Sequence, residues 1–173
     1  MAEVCRVLLV EDDPALAALL QEYLSEAGYD IELCMRGDSA LELLNKERFD
    51  LVLSDIVLPG ADGLSILQQV ISTYTPEQTL VLLMTGYSAI DNALVAVEQG
   101  AYDFVSKPFQ LPEIRVRLGN ASRYQQLLRK WETVSHRNVE QVAEYAADAQ
   151  QHERSVKDRT AVRAYIRNEA VQS

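Results

Sequence analysis

The sequence predicts an α/β fold, a doubly wound five-stranded parallel sheet followed by a C-terminal helical extension. Three observations predict it. From residue 6 to about 122, short apolar runs alternate five times with amphipathic helical stretches. The strand-like runs at 7–10, 51–53 and 80–84 are near-continuously apolar, as parallel strands covered on both faces must be. Polar groups able to do chemistry follow the strands directly, where open parallel sheets bind their ligands.

The elements justify themselves in order. Residues 7–10 form the first strand, and Asp13-Pro14 pairs a capping residue with proline at the first helical position. Leu16, Leu19, Leu20, Tyr23, Leu24 and Ala27 recur at helical spacing, and Gly28 ends that helix. A second strand spans 31–34. A short helix over 38–46 turns Leu41 and Leu44 inward. The third strand, 51–53, runs into Ser54-Asp55, and Pro59, Gly60 and Gly63 mark a loop. A helix with Leu64, Leu67, Val70 and Ile71 follows, then a fourth strand at 80–84. The helix over 88–99 offers a small buried face of Ala93, Leu94 and Val97, and Gly100 caps it. The fifth strand spans 102–105. Lys107-Pro108 breaks it, and a long helical pattern starts near Leu111.

Composition narrows the function classes. The chain has 173 residues, 48% of them apolar, enough for a sizeable core. No apolar run approaches the ~20 residues of a membrane span. The first residues lack a basic start and a small-residue cleavage site, so a cytoplasmic protein is expected. Cys5 and Cys34 belong to no CxxC or Cys/His cluster and read as buried free thiols. The net charge of −10 is uneven. Residues 1–122 carry 7 basic and 19 acidic groups, and residues 123–173 carry 9 and 7. The first part repels nucleic acid and attracts cations, and the tail's small excess is too weak to predict direct nucleic-acid binding.

The groups after the strands form one coherent set: Glu11 and Asp12 after the first, Asp55 after the third, Thr85 and Gly86 after the fourth, Lys107 after the fifth. Three clustered carboxylates call for a hard divalent cation with oxygen ligands. Lys107 adds a fixed positive charge, Thr85 a hydroxyl, and Gly86 leaves room. Together they suit a phosphoryl group carried by one carboxylate acting as nucleophile. Singly, each residue has an ordinary reading as a cap, turn or solvated side chain. Their joint order gives the set its meaning.

The runs VLLVEDD (7–13), DIVLPGADG (55–63), MTG (84–86) and GAYDFVSKPF (100–109) resemble the receiver domains of two-component response regulators, over residues 5 to about 122. The resemblance implies a flavodoxin-like strand order 2-1-3-4-5. It implies Asp55 as phosphoacceptor and Mg2+ held by Glu11, Asp12, Asp55 and the backbone carbonyl of Val57. Thr85 and Lys107 would hold the phosphoryl oxygens, and Lys107-Pro108 would be cis. Phe104 falls at the switch-aromatic position and Tyr102 does not. The donor would be a sensor histidine kinase or a phosphotransfer protein. Thr85 and Phe104 would then reshape the face of helix four, strand five and helix five. Such a chain is no enzyme beyond accepting and slowly losing its phosphoryl group. Val57 and Tyr87 flank the site, and their bulk is expected to slow hydrolysis.

Two domains are expected: the receiver over 1–122 and a helical extension over 123–173. The extension is too short for an ATPase or most winged-helix output domains, and it contains no Gly or Pro. It reads as a continuation of the fifth helix, with a second helix over 155–170 as an option. The spacing Leu111, Ile114, Leu118, Ala121, Leu128, Trp131 is partly heptad-like but interrupted by Gln125. A homodimer, through this helix or the helix-four face, or a docked partner, is the reading, with a frayed polar helix or a linker to an output domain as the alternative. His136 and His152 read as solvated histidines. Other functions fit less well. A haloacid-dehalogenase-like phosphatase needs a second acid at Val57 and room for a cap domain. A flavodoxin-like cofactor binder needs a phosphate loop where Glu11-Asp12-Asp13 stand. An unphosphorylated scaffold has no need of the full acidic set with Thr85 and Lys107.

Overall fold

A computed structural model describes residues 3–86 and 90–171, with side chains from residue 152 onward described only for Arg154. The elements are β1 (Arg6–Val10), α1 (Pro14–Glu26), β2 (Asp30–Cys34), α2 (Gly37–Leu44), β3 (Leu51–Asp55), α3 (Gly63–Thr73), β4 (Leu80–Thr85), α4 (Ile90–Gln99), β5 (Asp103–Ser106) and α5 (Leu111–Val171). Every strand pairing is parallel, in the order β2-β1-β3-β4-β5. The register sets Val10 opposite Ser54, Asp55 opposite Met84 and Thr85 opposite Ser106, so the strands end nearly level. That levelness places their C-terminal side chains in one crevice.

Successive strand residues face opposite sides of the sheet, and both sides are dry. Leu8, Val10, Val52, Val81 and Leu83 pack with Ala40 and Leu44 of α2, Ile66, Leu67 and Val70 of α3, and Ala93 and Ala96 of α4. Val7, Leu9, Leu53, Leu82, Met84 and Val105 pack with Leu20 and Leu24 of α1 and Ile114, Leu118 and Ala121 of α5. Each fully buried Leu or Val contributes about 1.5–3 kcal/mol. Asp13 caps α1 through Ala15 and Leu16 N–H, and Asp62 caps α3 through Ser65 N–H. Among the described residues no helix is long and apolar enough to cross a membrane.

The structure corrects several expectations. The buried face of α4 is Ala93 and Ala96, while Leu94 and Val97 are exposed. Leu19 and Ile71 also point outward. Both thiols are free but only half-buried. A single helix runs on through 155–170. The heptad-like spacing of α5 has a different cause: Ile114, Leu118, Ala121 and Gln125 are its core face. Gln125 Nε2 donates to the carbonyls of Asp50 (2.9 Å) and Pro76 (3.2 Å), tying α5 to the start of the β3–β4 pairing, where the Asp50 carbonyl also accepts the Leu80 N–H. A buried amide so used suits sheet packing and not a coiled-coil seam.

The chain divides into two compact units, Met1–Arg129 and Lys130–Ser173. The first closes with Arg129, which donates to the Glu77 carbonyl (2.8 Å) and pairs with Asp50 (2.7 Å). In the second, His136 is exposed and lies 3.8 Å from Glu132, and the side chain of His152 lies outside the described residues.

Burial, with Asp50 nearby, pushes the Cys5 thiol up to about 11, and burial also raises Cys34. A thiol raised this far is almost wholly protonated at pH 8. Iodoacetamide should therefore alkylate Cys5 in the folded chain at least about tenfold more slowly than in the urea-unfolded chain, with a rate still climbing above pH 9. Peptide mass analysis over time checks this, and equal rates would contradict it.

Candidate phosphoacceptor site

β1 delivers Glu11 and Asp12. Glu11 N–H donates to the Cys34 carbonyl of β2 (3.1 Å), which fixes where the strand stops. The Glu11 side chain is fully buried and its Oε1 accepts the Asp13 N–H (3.1 Å). Asp12 stays exposed beside it. β3 delivers Asp55, 7% exposed, whose Oδ1 accepts the Val57 N–H (3.1 Å). Ser54 Oγ ties back to the Asp55 carbonyl (2.8 Å). Carboxylate oxygens of Glu11, Asp12 and Asp55 lie within 4.8 Å of one another.

β5 ends at Ser106, and Lys107 N–H donates to the Thr85 carbonyl (2.7 Å), locking the start of the β5–α5 loop to the end of β4. From there the Lys107 ammonium reaches Asp55 Oδ2 at 2.5 Å and Glu11 Oε2 at 2.8 Å. The Lys107-Pro108 peptide is cis, as the resemblance implies. At such separations two like charges repel by roughly 3–4 kcal/mol at an effective dielectric near 20. One ammonium cannot neutralise three carboxylates. Burial pushes the Glu11 carboxyl up, against the opposing hydrogen bond from Lys107. Burial alone would lower the Lys107 ammonium, but its hydrogen bonds to Asp55 and Glu11 outweigh this and raise it. A set of oxygen donors with unneutralised negative charge fits a hard divalent cation.

Thr85 is fully buried at the end of β4, its hydroxyl donating to the Gly86 carbonyl (3.0 Å). Phe104 is half-buried against the α2–α3–α4 side of the core. Tyr102 packs on the other side, tilted against Tyr124 with ring centroids 5.5 Å apart. Val57 is 70% exposed at the rim. Tyr87 lies outside the described residues.

Two glycines shape the site beyond marking a loop. A Cβ on Gly63 would overlap the Asp55 carbonyl oxygen and stand 2.8 Å from Ile56 Cα, so α3 begins pressed against the backbone of the Asp55 segment. Gly63 N–H donates to the Ile56 carbonyl (2.8 Å). Gly37 similarly abuts the Ala61 backbone, and its N–H donates to the Pro59 carbonyl (3.0 Å). The signal for Gly63 was its place directly after the capping Asp62. Gly37 carried none.

A family profile for the response regulator receiver domain matches residues 7–119. Curated relatives include the transcriptional activator protein PfeR of Pseudomonas aeruginosa, 40% identical over 112 residues. That match covers 65% of this chain and 36% of PfeR. The transcriptional regulatory protein DltR of Streptococcus agalactiae is 34% identical over 124 residues, covering 72% and 54%. The chain thus spans about a third to a half of these relatives. Among solved structures, NtrX from Brucella abortus superposes with a TM-score of 0.69 at 30% identity, covering 76% of this chain and 30% of that one. The signal receiver domain of an HD domain-containing protein from Pseudomonas fluorescens gives 0.68 at 29%, covering 75% and 95%.

Gly63→Ala should cost about 1–3 kcal/mol of stability, because backbone must move to admit the methyl group. Gly86→Ala, where a Cβ meets nothing within 4 Å, should stay within about 1 kcal/mol of the parent. Urea unfolding with an unchanged m-value checks both, and equal effects would refute the close-approach account.

Proposed function

This chain belongs to the response regulator receiver domain family, and from that premise we propose that it is a phosphorylation-dependent switch whose phosphoacceptor is Asp55. The observation that carries the proposal is the contact of Lys107 Nζ with Asp55 Oδ2, 2.5 Å, beside the Glu11 and Asp12 carboxylates. Mg2+ would be held by Glu11, Asp12, Asp55 and the Val57 carbonyl, and when bound it supplies positive charge against phosphoryl oxygens. The Asp55 carboxylate oxygen attacks the phosphorus of a phosphohistidine on a sensor kinase or phosphotransfer protein. The new bond is an acyl phosphate, the P–N bond breaks, and the imidazole leaves with its electron pair to be protonated. Lys107 and Thr85 are the groups placed to hold the transferred oxygens.

The output follows from packing. Thr85 moves toward the phosphoryl group and Phe104 fills the space, biasing the face of α4, β5 and α5. Supporting this, among its described side chains α4 buries Ala93 and Ala96 while Leu94, Val95 and Val97 stand exposed. An element held by so little apolar contact moves at small cost. The chain's control of a partner or of its own assembly belongs to this face and to residues 123–173, with residues 1–122 as the switch. The transcriptional roles in the relatives' names are theirs as whole proteins.

Acetyl phosphate with Mg2+ should add one phosphoryl mass to the chain, and Asp55→Asn or chelation of the metal should abolish it in intact-mass spectra. Labelling that persists in Asp55→Asn would overturn the assignment. Val57 stands at the mouth of the site, where its side chain hinders water approaching the acyl phosphate. Val57→Asn should shorten the lifetime of the phosphorylated chain by up to roughly tenfold, the scale of one hydrogen bond to the attacking water. An unchanged decay rate would remove Val57 from the account.

A further inference from the structure

The second unit exposes large apolar side chains along α5: Trp131 (73%), Val134 (52%), Val142 (67%) and Tyr145 (75%). At about 100° per residue, Trp131, Val134, Asn138, Val142, Tyr145 and Ala149 fall within one narrow stripe. Trp131 and Val142, Val134 and Tyr145, and Asn138 and Ala149 are each eleven residues apart. That period, longer than the heptad's 3.5 residues per turn, describes a helix pair with a slight right-handed supercoil. A stripe of this kind is a pairing seam.

The residues beside the stripe identify what covers it. On one flank stand Lys130 and Arg137, then Glu144 and Asp148, basic before residue 140 and acidic after it. The other flank, Ser135, Val139 and Ala146, is uncharged but for Glu132 at its outer edge. We propose that this segment pairs with a second copy of itself in antiparallel orientation, about a two-fold axis near residue 140. Antiparallel pairing brings the same flank of the two copies together, and a two-fold makes each contact occur twice. Lys130 then meets Asp148 of the partner helix and Arg137 meets Glu144. Along the stripe the large side chains meet the small ones, Trp131 on Ala149 and Tyr145 on Val134, while Asn138 lies by Val142. A parallel pair would stack Trp131 on Trp131 and Ala149 on Ala149. It would turn the charged flank toward one that offers Lys130 and Arg137 no facing carboxylate. Charge and volume therefore both select the antiparallel pair. This pairing does not depend on Asp55 being the phosphoacceptor.

Sedimentation equilibrium of the full chain tests it, without phosphodonor and with Asp55→Asn in parallel, so that failure here is separable from failure of the phosphoacceptor reading. A dimer is expected in both. Glu144→Lys with Asp148→Lys should weaken it by at least about tenfold, four attractive contacts becoming repulsive. Adding Lys130→Glu and Arg137→Glu to the same chain should restore it. All four positions are exposed, so the fold is not at stake. Trp131, the one tryptophan, should emit at shorter wavelength in the dimer, and Ala149→Glu should reverse that shift. A monomer at all concentrations overturns the proposal. So does a dimer indifferent to the charge reversals. So does a fourfold reversal that leaves the dimer as weak as the double one.

Discussion

The structure depends on one electrostatic constraint: three carboxylates held within 4.8 Å by strand ends, with a single ammonium to balance them. Such a cluster persists only because the sheet that imposes it is far more stable than the repulsion it contains. β1, β3 and β4 are buried on both faces and end level, so Glu11, Asp55 and Thr85 have nowhere else to go. Lys107 reaches the centre because its own N–H is fixed to the end of β4. The excess negative charge fits a hard divalent cation, and on the proposed function that cation would in turn favour an anionic phosphoryl group.

Much of this was legible in the sequence, for physical reasons. Two-sided burial writes itself as continuous apolar runs, so the strands and their parallel order could be read. The polar residue after each run then identified the crevice, and Glu11, Asp12, Asp55 and Lys107 do converge there. What could not be read were facts of packing. On α4 the periodic pattern admitted Leu94 and Val97 as core, whereas the close approach of the helix admits only Ala93 and Ala96. Gln125 looked like a flaw in a heptad because its carbonyl partners at Asp50 and Pro76 are remote in sequence. Gly63 read as a loop residue and Gly37 went unread, because backbone-to-backbone approach leaves no mark but the missing side chain.

The two units embody different solutions to burial. In Met1–Arg129, most apolar surface is satisfied internally, and Leu94, Val95 and Val97 of α4 are among the exceptions. In Lys130–Ser173, Trp131, Val142 and Tyr145 remain in solvent among the described side chains. On the proposed pairing, a second copy covers them.

The most direct test of the central claim is fluorine NMR of the chain with Mg2+ and beryllofluoride, a mimic of the phosphoryl group. The account predicts bound fluorine resonances that require the metal and vanish in Asp55→Asn. Lys107→Met should weaken them, since it removes the ammonium that contacts Asp55. Absence of any bound resonance in a folded chain at saturating mimic would show that the acidic crevice does not accept a phosphoryl group, and would contradict the account.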